Sequence, residues 1–158
     1  MLNNRSNTAR LRLQLDHDAA QRKTQILRDR GEELYVLVEQ WLNGLTGYYL
    51  GRSSVMLGKL DYNQCLNAEM ADMKDYPVNF TRIELLIAVY FPSARLAYQQ
   101  ISKDRDTLNK IATEHKRSYA AGDIDGTRFF KPFQQAMLSI NETDPILKQS
   151  LLESIRAL

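Results

Sequence analysis

A helix drawn from about residue 9 to residue 58 would be ~75 Å long, about twice the diameter expected of a compact globule of 158 residues. The segment nonetheless asks to be helical. Its apolar residues recur at helical spacing, and the polar cluster NNRSNT offers Ser6, Asn7 or Thr8 as a cap. Either the glycines of NGLTGYYLGRSSVMLGK, residues 43 to 59, break the helix, or the first ~20 residues extend beyond the bundle.

Counting ~100° per residue from Gly44 at zero, Gly47 falls at about 300°, Gly51 at about 340° and Gly58 at about 320°. Loop glycines have no reason to share one helical face. Leu34, Leu37, Val38, Trp41, Leu45, Tyr48, Tyr49, Val55 and Met56 occupy the neighbouring arc, so the pattern predicts a core stripe edged by a glycine stripe. Each glycine costs up to ~1 kcal/mol relative to alanine in a helix interior, so the stripe predicts a close neighbour, from this chain or from a second copy. GYYLG has the small-xxx-small form of membrane helix pairs, but Glu39, Asn43, Arg52 and Lys59 around it exclude a bilayer location.

No segment shows strand alternation, and there is no internal repeat or Gly/Ser linker. The expectation is one all-α domain over residues 1–158. It is an antiparallel bundle of about four main helices plus a short peripheral helix, with a long N-terminal helix whose first part, about 1–30, protrudes as a basic arm. Asp61 can cap the short helix, which stops before Pro77. A third segment runs from a cap at Asn79 or Thr81 to Gly122, and Pro92 within it predicts a kink or a change of helix. GDIDG is a turn, since the first and last carboxylates of a calcium loop are missing. A helix follows with Phe129, Phe130, Phe133, Met137 and Ile140 inward. A last helix begins at Thr143 or Asp144, with Pro145 in its first turn.

Net charge is only +2, but residues 1 to 31 carry seven basic against three acidic side chains. Such an arm can attract an anionic membrane surface, although solvated face charge is the commoner explanation; nucleic acid is not an expected partner. The apolar run IELLIAVYF, residues 83 to 91, is well short of the ~20 residues a bilayer crossing needs, and MLNNRSNTARLRL lacks a signal-peptide core. A cytoplasmic location is expected, or an inner-membrane-associated one if a native anchor precedes Met1. The single cysteine, Cys65, has nothing basic near it in sequence and reads as a small half-buried residue.

There are only two histidines, His17 and His115, and neither has ligands at i+3 or i+4, so no metal, cofactor or catalytic residue is assigned. Arg12 and His17 have the Arg-x4-His spacing of a class of helical ribonucleases, which leaves RNA cleavage as a lesser alternative to a non-enzymatic role. Two charges stand out. Arg52 falls within the core arc and Glu84 interrupts the most apolar run, so both are expected to be buried and paired, as Arg52 with Glu84 or Arg82 with Glu84. With Trp41, Tyr48 and Tyr90 they would line a pocket suited to a polar small molecule.

Residues 7 to 41, NTARLRLQLDHDAAQRKTQILRDRGEELYVLVEQW, resemble the region that follows the N-terminal membrane anchor in a group of uncharacterised bacterial helical proteins. The resemblance implies a juxtamembrane helix and no activity. The preferred expectation is a helical interaction module, binding a protein partner or a second copy through helix 1. Its candidate face is Leu11, Leu15, Ala19 and Ile26 with Gly44, Gly47, Gly51 and Gly58. A small-molecule-sensing bundle is the alternative.

Overall fold

The computed structural model describes the backbone of residues 2–73 and 78–157, with side chains over 7–70 and 78–157. Helix α1, Leu2–Met56, is unbroken over 55 residues and therefore ~82 Å long. It begins ahead of the expected caps, so Ser6, Asn7 and Thr8 lie inside it. Gly44, Gly47 and Gly51 do not interrupt it either. The length is resolved by protrusion: residues 7–17 are all exposed, and the first buried position is Gly31.

Gly58 is not part of the helical face, which corrects the expected stripe. It lies two residues past Met56 at φ +69° and lets the chain turn back, with the Gly58 and Lys59 amides donating to Val55 and Ser54 carbonyls at 3.0 and 2.8 Å. Only glycine adopts this left-handed conformation without a Cβ penalty.

Helix α2, Tyr62–Met73, starts with a reciprocal cap. The Gln64 amide donates to Asp61 Oδ1 at 2.8 Å while the Asp61 amide donates to Gln64 Oε1 at 3.0 Å. Its expected stop before Pro77 lies outside the described residues. Helix α3, Phe80–Val89, is capped by Asn79 Oδ1, which accepts from the Arg82 amide at 3.0 Å. Pro92 then changes the helix instead of kinking it: a single 3₁₀ turn, Pro92–Ala94, leads into α4, Arg95–Ala120. Gly122, at φ +94°, closes α4.

Helix α5, Thr127–Arg156, is one 30-residue helix with Pro132 and Pro145 inside it, where two helices were expected. Neither proposed cap is free to act. Thr143 Oγ1 donates back to the Ser139 carbonyl at 2.9 Å, and Lys148 Nζ donates to the Asp144 carboxylate at 3.0 Å. Ile140, Leu147 and Leu151 form one buried stripe across Pro145, and that burial outweighs an interior proline's cost of ~3 kcal/mol.

Helix α5 runs antiparallel to α1, with Tyr49 stacked on Phe133 near one end and Ile155 against Gly31 at the other. It is also antiparallel to α4, where Ser139 donates to Asp104 at 2.7 Å. Trp41, Phe91, Phe133, Ile83, Ile101 and Leu108 are buried between them. The bundle therefore grips only the second half of α1.

Candidate functional site

The base of the arm is held rigidly. A Cβ on Gly31 would lie 2.5 Å from Ile155 Cγ1 and 3.1 Å from Phe91 Cζ, so the end of α5 and the α3–α4 joint close directly onto the α1 backbone. Two residues on, Arg82 forks onto Glu33 with Nε and Nη2 at 2.6 and 2.7 Å, and Arg30 Nη1 adds a third bond at 2.9 Å. These arginines hold the Glu33 carboxyl at about 2, against burial that works the other way.

Beyond this clamp the helix leaves the bundle with an apolar face in solvent. Leu11, Leu15 and Ile26 are each at least half exposed. With 100° per residue, Leu11, Leu15, Asp18, Ala19, Arg22 and Ile26 share one arc about 100° wide. This face meets Val89 and Tyr90 at the end of α3 across an open trough of about 710 Å³, walled otherwise by Leu15, Asp18, Ala19, Arg22, Lys23, Ile26 and Leu27. Three of the expected face residues thus converge there, and Leu11 lies one turn further out. Tyr90, expected in an interior pocket, belongs to this trough instead. Among the described residues, neither Asp18 nor Arg22 makes an ion pair, although both border it.

The glycine stripe is largely uncovered. A Cβ on Gly44 or Gly47 would meet nothing within 4 Å, whereas one on Gly51 would lie 3.1 Å from Cys65 Sγ. The neighbour foreseen for the stripe is therefore α2 of the same chain, at Gly51 alone. Arg12 and His17 are exposed and about 140° apart on the arm, and His17 Nε2 is bonded to Gln21 at 2.9 Å. They do not converge.

The buried charge also differs from expectation. Arg52 Nη2 donates to Glu69 Oε2 on α2 at 2.8 Å, and its guanidinium lies over the rings of Tyr48 and Tyr62. Glu84 is exposed and accepts from the Tyr98 hydroxyl at 3.1 Å, while Arg82 serves Glu33. Neither expected pairing forms, because Glu84 lies on the outer face of α3 while Arg52 faces α2. Trp41 is buried against Phe80 and Tyr98, Tyr48 lies under Arg52, Glu84 is exposed and Tyr90 lines the trough, so these five do not line one pocket.

Around Arg52 is a cluster that sequence reasoning missed. Cys65 Sγ donates to Glu69 Oε1 at 3.5 Å, and burial, reinforced by that carboxylate, pushes the thiol up to about 11 despite Arg52 nearby. Cys65 is fully buried, with a basic group close in space if not in sequence. Tyr62 Oη and His115 Nδ1 share a hydrogen bond at 3.1 Å. His115 has no solvent exposure, and its Nε2 has no partner among the described residues. Burial, with the Arg52 and Arg128 charges, holds its pKa below the usual histidine value. A signal existed: Leu108, Ile111, Ala112 and His115 follow helical spacing, which places His115 on the core face. The cluster ties α2 and α4 to α1. A protonated, sealed thiol offers no nucleophile.

Among the described residues no group of three or more His, Cys, Asp or Glu could hold a metal ion, and no helix is long and apolar enough to cross a membrane. Comparison with protein-family models, curated proteins and solved structures finds no match to this chain.

Proposed function

We propose that this chain is a non-enzymatic helical interaction module that binds a second copy of itself through the arm of α1. One observation carries the reading: an apolar helical face leaves the bundle from a rigid base and, with Val89 and Tyr90, bounds an open trough. A solvated spacer has no use for Leu11, Leu15 and Ile26 on one side, each of which gains by being covered.

The arm's charges favour protein over lipid as the cover. Asp18 stands beside Arg22 on the face itself, and an acidic group there is repelled by anionic head groups while the two together suit a mixed-charge protein seam. The test is light scattering of the full chain during size exclusion over a range of concentrations. Mass rising toward twice that of the 18.2 kDa chain supports the reading; a constant monomer mass contradicts it.

A further inference from the structure

We infer that two copies pair their arms antiparallel, crossing between residues 20 and 21, so that Leu15 of each copy lies opposite Ile26 of the other. The inference rests on the self-association proposed above and adds its orientation and register. The charges on the face decide the orientation. A parallel pair would set Asp18 against Asp18 and Arg22 against Arg22, with like charges along the seam. Antiparallel pairing brings Asp18 of each copy to Arg22 of the other.

Shape agrees with charge. In this register Arg22 of one copy lies over Ala19 of the other, whose small side chain accommodates the arginine stem while the guanidinium reaches Asp18 beside it. Leu15 of the second copy arrives at the level of Ile26, beside Val89 and Tyr90, where the trough is. Leu11 of that copy continues one turn further toward the Gly31 clamp. The two-fold axis repeats the arrangement, so both troughs are filled by one self-complementary contact.

The experiment uses the full chain carrying Leu15→Cys or Ile26→Cys, oxidised separately and as a mixture, with wild type as control because native Cys65 is buried. Residues 15 and 26 are ~16 Å apart along a helix, so in the inferred register neither variant crosslinks alone and the mixture does. In parallel, Asp18→Arg and Arg22→Asp should each weaken the dimer ~10-fold, and D18R/R22D should restore it. Crosslinking of Leu15→Cys with itself, or failure of the double exchange to restore, overturns the register and leaves self-association standing. A strict monomer, including one that co-sediments with phosphatidylserine vesicles, overturns both. A dimer that crosslinks in none of the samples overturns the register alone.

Discussion

The Arg52 guanidinium lies 2.8 Å from the Glu69 carboxylate and stacks over Tyr48 and Tyr62, 5.4 and 5.3 Å from their ring centroids. This ties α2 to α1, and it predicts an asymmetry. Arg52→Met leaves Glu69 without its partner and should cost ~3 kcal/mol, the low end for a buried pair because the two side chains retain 10% and 19% exposure. Arg52→Met combined with Glu69→Leu should cost distinctly less, since no charge is stranded. Urea denaturation of the single and double variants measures the difference.

His115 predicts a pH dependence of stability. Its folded pKa lies below the ordinary 6.5, so the unfolded chain takes up the proton more readily than the folded one. Its contribution is therefore complete above about pH 6.5 and is lost as pH falls toward the folded value, by at most ~1.4 kcal/mol per pH unit. Asp123 opposes the shift without reversing it. Denaturation between pH 7.5 and 5.5 should show this slope in the wild type and a shallower one in His115→Gln. Equal slopes would mean that His115 is not sealed.

The glycines divide by what a side chain would meet. Gly47→Ala enters open space in a helix interior and should raise stability by up to ~1 kcal/mol. Gly31→Ala drives a methyl into Ile155 and should lower it by ~1–3 kcal/mol. Gly126→Ala meets His115 Nε2 and the Met56 backbone at 2.6 Å, and should be worse because the backbone cannot swing aside. Thermal melts of the three variants rank them.

Those glycines also show how far the sequence could be read. The helical wheel correctly kept Gly44, Gly47 and Gly51 on a helix beside the Trp41 core stripe, because that inference depends only on residue spacing. Its close approach holds at Gly51, 3.1 Å from Cys65 Sγ, but not at Gly44 or Gly47, and it missed the tightest one in α1, since contact depends on which helix arrives from elsewhere. Gly31 carries it, and its place at about 140° on the same wheel, at the edge of the core arc, was the available clue. Five helices result among the described residues only because the change of helix at Pro92 offsets the fusion across Pro145, but the all-α class and the arm were legible from periodicity and length. The fusion across Pro145 was not, because capping strength at Thr143 and Asp144 is local while the burial of Ile140 and Leu147 is tertiary. Likewise, Leu15, Ala19 and Ile26 declared a face, but their convergence with Val89 and Tyr90 depends on how α3 packs against α1, which residue spacing does not give.

In the proposed self-association the arm's apolar face joins two copies. Sedimentation equilibrium of the full chain, wild type beside Leu15→Asp/Ile26→Asp, tests it most directly, with Ile124→Asp as a control at an exposed apolar residue in the α4–α5 turn. All three positions are exposed, so none of the changes should unfold the bundle. The prediction is a dimer for wild type and the Ile124 variant, and a monomer for the arm variant. Equal masses for wild type and the arm variant would contradict it.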